Sequence, residues 1–433
     1  MRLSAPVRPN LVMMILPTAI SISSLSRIAG FIAISLILVA VLIPAESTNG
    51  RLNPTWACAF LPVGALWIAL RPNYPNSLVD ALLFTVTIVT VAYVIHISNS
   101  RASALSSLHD GLGIFLVTSV TLQLSGFWGT LGQTAGGNVL TGGNRILFPL
   151  TSSLVTAPTV AAVYVVAFLP MIKTTSRYQV PRLLAVVAAS YVIIQADRRS
   201  ALFATVLIAA SVMVFPALFR RLAPSLIGLS LATPLIFGMF PGIISSTLRS
   251  LTQSLPDSLT RDGESTGTLN GRFGIWSLAT HFYRYEVGGF RQMFGFGTFG
   301  NIESGAATLF YSNFSGHYRE RVLKGNPHSS LLQLLFDGGW IVAIGLATVV
   351  IYSAWLMSRR NSTSDVAGLA MLTTLALVGL SEASLSPTNA QLTWWTLVII
   401  VTIALSREQL HPSWELNERR MAGGEKLNAD GVS

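Results

Sequence analysis

The chain has little of what soluble proteins depend on. Only 11% of its 433 residues are Asp, Glu, Lys or Arg, against about 25% in an average soluble domain. Cys58 is the single cysteine, so no intramolecular disulfide can form and no thiolate metal site is indicated. Within the apolar runs the only acidic residues are Asp80, Asp110, Asp337 and Glu382, a scarcity that weighs against a proton-coupled transporter. There is no H-E-x-x-H pair and no phosphate-binding P-loop. The alternating ten-residue strands of an outer-membrane barrel are missing too. The net charge of +10 comes with no basic patch interleaved with aromatics, so it does not indicate a nucleic-acid partner.

What the chain does have is apolar surface. Hydrophobic residues make up 51% of it, and the mean hydropathy is +0.59. About 20 apolar residues are needed to cross a bilayer as a helix. Twelve mostly apolar runs satisfy or approach this, at 9–25, 28–43, 55–70, 78–97, 104–124, 149–171, 182–195, 201–218, 225–243, 329–357, 366–383 and 389–405. The fold expected is an all-α polytopic membrane protein of about twelve transmembrane helices, one integral domain over residues 1–433. The first run, with Arg2 and Arg8 before it, also has the makings of a signal peptide.

Basic residues orient the spans. With the N-terminus cytoplasmic, inside segments hold fifteen Lys and Arg, among them Arg51, Arg101, Arg182, Arg220 and Arg359, and short outside segments hold five: Arg27, Arg71, Arg145, Arg198 and Arg199. Both termini are therefore expected in the cytoplasm, with 406–433 as a cytoplasmic tail. Residues 244–328 then form one large extracytoplasmic loop before the tenth span. In that loop GRFGIWSLATHFYRY brings Phe273, Ile275, Trp276, Leu278, Ala279 and Phe282 together at helical spacing, as suits a helix lying on a bundle or membrane surface.

Three polar features stand out. In DRRSALFA, Asp197, Arg198 and Arg199 lie between two spans; basic residues there commonly snorkel to the interface, but on an outside loop they run against the positive-inside bias. In NGRFGIW, Arg272 precedes the aromatic helix. In GNPHSSLLQLLFDGGW, Pro327 marks the end of the loop and His328 falls at the N-terminus of a span; a lone histidine is more often a structural hydrogen-bonder than a catalyst. The topology places Arg199, Arg272 and His328 on one outer face, where two guanidinium forks and an imidazole suit an anion with several oxygens. GFGTFG, residues 295–300, matches a dinucleotide pattern but follows no buried strand. Asp262 and Glu264 form an isolated acidic pair, a weak metal motif.

Taken together, the Arg-Ser-Ala of DRRSALFA, the GR..IW of NGRFGIW, GFGTFGN, and PHSSLLQLLFDGGWIVAIGLA resemble motifs of the O-antigen ligase and O-antigen polymerase (Wzy-type) superfamily of bacterial membrane glycosyltransferases. The motifs span residues 197–346, and the plan of twelve spans with a large outer loop before the tenth is similar to that family's. Ser329 stands where the family often has Asn, and Asp337 where it often has Glu. The resemblance implies transfer of a glycan from a polyprenyl (undecaprenyl) diphosphate carrier to an acceptor hydroxyl, on the outer face of the cytoplasmic membrane. It implies an inverting mechanism without metal or other cofactor. Arg199, with Arg198 as the alternative, and Arg272 would bind the diphosphate, and His328 would act as a base or hold the diphosphate. Partners would be the lipid-linked donor, a glycan or lipid acceptor, membrane lipids, and a flippase and chain-length regulator if the chain is a polymerase. Ligase, polymerase and protein O-oligosaccharyltransferase remain open, as do the sugar and the acceptor. The reading from a different class is a polytopic transporter or exporter of a lipid-linked or anionic solute, which places essential charges near the bilayer midplane beside broken helices.

Overall fold

Apolar runs become helices because a chain with little polar surface must satisfy its backbone internally. In the computed structural model, the residues described are 9–42, 52–53, 77–98, 100–126, 133–137, 144–151, 153–172, 179–240, 272–310, 326–385 and 391–408. They contain α1 (Pro9–Leu25), α2 (Arg27–Leu42), α3 (Ser77–His96), α4 (Arg101–Leu124), α5 (Thr156–Met171), α6 (Gln179–Ala196), α7 (Arg199–Val214) and α8 (Pro216–Met239). After these come α9 (Arg272–Tyr285), three short helices α10 (Gly289–Phe294), α11 (Gly300–Glu303) and α12 (Ala307–Phe310), then α13 (Ser330–Arg359), α14 (Thr363–Ser381) and α15 (Leu392–Leu405). The strands are two short antiparallel pairs: β1 (Leu52–Asn53) with β4 (Arg407–Glu408), and β2 (Gln133–Gly137) with β3 (Asn144–Ile146).

Six of these helices, α3, α4, α6, α8, α13 and α14, are long and apolar enough to cross a membrane, and α1, α2, α5, α7 and α15 are shorter apolar helices. Helices thus occupy eleven of the twelve expected runs; the twelfth, 55–70, lies outside the described residues. So do 244–271 and 311–325 of the expected loop, with Asp262 and Glu264, and residues 409–433 of the tail. One boundary differs from expectation. The run 201–218 is divided at Phe215, because Pro216 takes the first position of α8, where its missing N–H costs nothing. α8 therefore begins nine residues before the expected 225 and carries Arg220 and Arg221 within it.

Serine side chains set several helix starts: Ser100 accepts from Ser103 N–H at 3.1 Å, and Ser362 from Asp365 N–H at 3.0 Å. α14 forms the centre, nearly all of it buried, and packs on α5, α8 and α13, while α1 lies against α2 and α4. The outer faces are apolar. Val180, Leu183 and Val187 of α6, Phe203 and Val206 of α7, and Leu222 and Leu229 of α8 are all exposed, which is a surface for hydrocarbon rather than water.

Polar contacts tie the helix ends into two groups. At one end Ser103 donates to Asn10, Arg182 pairs with Asp110, Arg220 meets Asn361 and Arg101 donates to the Ser406 carbonyl. At the other, Arg27 pairs with Asp80, Thr156 donates to Gln391, and the cluster described next is assembled.

Candidate functional site

Four chain segments meet where α6 turns into α7, α9 begins, α13 begins and α14 ends. Asp197 adopts a left-handed backbone (φ 44°) and Arg198 an extended one as the N-cap of α7, a reversal that points Arg198 into the cluster. Arg272 is the first residue of α9. That helix buries Phe273, Ile275, Trp276, Ala279, Thr280 and Tyr283, whereas Leu278, expected on the same face, is exposed. Trp276 is fully buried, and its indole N–H donates to the His328 carbonyl at 3.3 Å. His328 lies two residues before α13 with φ 45°. The Asn326 side chain holds that turn by accepting the His328 N–H at 2.9 Å, and Ser329 caps α13.

The fourth residue is Glu382, the C-cap of α14. Its side chain is 5% exposed, while Arg198, Arg272 and His328 are 20 to 23% exposed. Arg272 Nη2 donates to Glu382 Oε1 at 2.8 Å and Arg198 Nη1 donates to the same oxygen at 3.3 Å. His328 Nδ1 stands 3.7 Å from Oε2, too long for a hydrogen bond but close enough for an electrostatic contact. Burial alone would raise the Glu382 carboxyl. Arg198 outweighs that, together with His328 and Arg272, and the group is held down at about 2.

One hydroxyl joins two of the segments. Ser330, fully buried, donates to the Glu382 carbonyl at 2.7 Å and accepts the Leu385 N–H at 3.0 Å. Behind it, α13 is broken at Gly339, whose φ of 66° is not helical. The GFGTFG stretch fits against this break. The N–H groups of Phe296 and Gly297 donate to the carbonyls of Phe336 and Asp337, each at 2.8 Å, and Gly300 N–H donates to Asp337 Oδ1 at 2.8 Å. A side chain at Gly300 would stand 2.1 Å from the Phe336 carbonyl oxygen. These glycines serve backbone packing, and Asp337, which also accepts from Gln333 at 2.8 Å, is a structural acceptor.

Arg272 and His328, singled out in the sequence, are therefore neighbours. Of the arginine pair, Arg198 bonds to Glu382, while Arg199, to which the resemblance gives the diphosphate, opens α7 one residue later. Glu382 had been noted only as an acidic residue in an apolar run. Its signal was there, since a carboxylate at the end of a span needs cationic partners. Arg198 Nε is buried without a hydrogen-bond partner among the described residues, a donor that an incoming anion would satisfy. The described residues contain no group of three or more His, Cys, Asp or Glu side chains arranged to hold a metal ion. No family model, curated protein or solved structure matches the chain.

Proposed function

We propose that the chain is a glycosyltransferase of the O-antigen ligase or polymerase type, with twelve spans, that moves a glycan from a polyprenyl diphosphate to an acceptor hydroxyl at the outer face of the cytoplasmic membrane. The observation that carries this reading is the meeting of Arg198, Arg272 and His328, from three distant segments, around Glu382 at one end of an apolar bundle. Two guanidiniums and one carboxylate leave a net positive charge. Each arginine gives one nitrogen to Glu382, and the rest of its fork remains to bind phosphate oxygens.

In the reaction the acceptor oxygen bonds to the anomeric carbon as the bond from that carbon to the phosphate oxygen breaks. The diphosphate leaves with the electron pair, and Arg198 and Arg272 stabilise the charge it gains. A well-placed donor of this kind is worth about 10² to 10³ in rate. His328 Nε2 takes the hydroxyl proton, while the Glu382 carboxylate, 3.7 Å from Nδ1, favours the imidazolium formed through its charge.

The test is a reconstituted reaction with a defined polyprenyl diphosphate glycan and candidate acceptors. Arg272→Ala and His328→Ala should each reduce transfer by at least about a hundredfold while remaining inserted, and Arg359→Ala, at the opposite end, should transfer normally. Full transfer by the His328 variant would remove it from the mechanism. Loss of activity on chelation, restored by magnesium, would instead bring in Asp262 and Glu264. The transporter reading draws on the broken α13 and on the charges inside α4 and α6; solute flux in vesicles without glycan transfer would favour it.

A further inference from the structure

A second polar cluster lies at the opposite end of the bundle. Arg182, counted with the inside basic residues at the start of the run 182–195, is buried on α6, where it grips Asp110 of α4 with both arms, Nε to Oδ1 at 2.7 Å and Nη2 to Oδ2 at 3.0 Å, and donates to Ser106 at 2.8 Å. His109, fully buried beside it, stacks on Tyr164 of α5 with ring centroids 4.1 Å apart, and the Tyr164 hydroxyl donates to the Arg182 carbonyl at 3.1 Å. Charges at such depth in a bundle are costly and mark functional sites more often than packing.

This network forms one wall of a cavity of about 460 Å³ between α1, α4, α5 and α6, a volume in the range of small-molecule sites. The cavity has two chemically distinct ends. Towards the helix starts it is lined by Asn10, Ser103, Ser106 and Asp110; further along α4 it is lined by Ile114 and Val117, with Leu184 across from them on α6. From Ser103 to Val117 the rise of α4 is about 21 Å. Ile114 and Leu184 are also exposed on the outside of the bundle, so the apolar end is continuous with the surface that faces hydrocarbon.

We infer that this cavity binds a single-chain amphiphile with an uncharged, hydroxyl-bearing headgroup, held with its head among the serines and its chain along Ile114, Val117 and Leu184. The charge balance selects the head. Asp110 neutralises Arg182 within the wall, so the cavity offers hydrogen bonds without net charge, and an anionic headgroup would meet the Asp110 carboxylate. The site is separate from the Arg198–Glu382 cluster and does not depend on the chemistry proposed there.

The test uses the full chain in phosphatidylcholine nanodiscs with a diazirine-bearing monoacylglycerol, crosslinks being mapped by mass spectrometry. Labelling should concentrate on peptides of α4 and α6. Val117→Trp, a half-buried position at the apolar end, should reduce it about tenfold by filling the space for the chain. A diazirine-bearing alkyl phosphate should label the wild type poorly and Asp110→Asn well, since that variant leaves Arg182 uncompensated. Labelling spread evenly over the exposed faces of α7 and α8, labelling undiminished by Val117→Trp, or equal labelling of the wild type by the alkyl phosphate would each overturn the inference.

Discussion

At the scale of single residues, one buried carboxylate organises three cationic or ionisable side chains, and its protonation has a direct consequence. Glu382 is held at about 2 in the folded protein, against 4.5 for a free carboxyl. A carboxyl depressed by folding stabilises the native state above its unfolded value and loses that stabilisation as pH falls towards the folded value. Thermal melts of the detergent-solubilised protein should therefore show a contribution from Glu382 that is complete above about pH 4.5 and declines below it, and Glu382→Gln should lack that acid-sensitive component. At neutral pH the same variant should cost about 1.5–3 kcal/mol, the range for hydrogen bonds to charged groups, and should lower glycan transfer by more than its stability loss explains. Arg272 and His328 could be read from the sequence because each sits at the edge of an apolar run, beside Gly or Pro. Arg198 could not be separated from Arg199, because the choice depends on a left-handed backbone at Asp197 that the residue types do not reveal. Glu382 was passed over because a carboxylate looks like a liability in a span until its partners, 54 to 184 positions away in sequence, are brought to it.

At the scale of elements, the break in α13 and the 295–301 stretch form one unit. Gly295 and Gly339 have φ of 71° and 66°, and a side chain at either would stand 2.4 or 2.2 Å from a carbonyl oxygen across the joint. Gly300→Ala should therefore be destabilising by about 1–3 kcal/mol through overpacking, whereas Gly345→Ala, in the same helix with nothing within 4 Å, should be neutral or slightly stabilising. Melting temperatures of the two variants, measured side by side, decide this. Hydropathy located α13 but not its break: Asp-Gly-Gly at 337–339 could be seen, yet the partner that makes the break favourable comes from a loop nearly forty residues earlier. α8 was drawn short for the opposite reason. Arg220 and Arg221 look like a loop by charge, but Pro216 had already fixed the helix start.

At the scale of the whole molecule, the alternation of helix directions places the Arg198–Glu382 cluster and the Arg182–Asp110 network at opposite ends of the bundle. By the positive-inside count, the first is expected on the outside. In a Cys58→Ser background, a cysteine replacing Glu286, exposed after α9, should react with a membrane-impermeant maleimide on intact cells, and one replacing Thr363, exposed at the start of α14, only after permeabilisation; the reverse pattern would turn the proposed enzyme towards the cytosol and end it. The general plan was readable because lipid leaves a chain few ways to satisfy its backbone, and the partnerships at the helix ends were not, because they join residues far apart in sequence. The Ser330 hydroxyl has a consequence at this same scale. It fastens the start of α13 to the end of α14, so the imidazole and the carboxylate share a single anchor. In the proposed reaction, motion of the bundle around a long lipid-linked substrate would therefore carry the two groups as a pair, and the spacing on which proton transfer depends would be preserved.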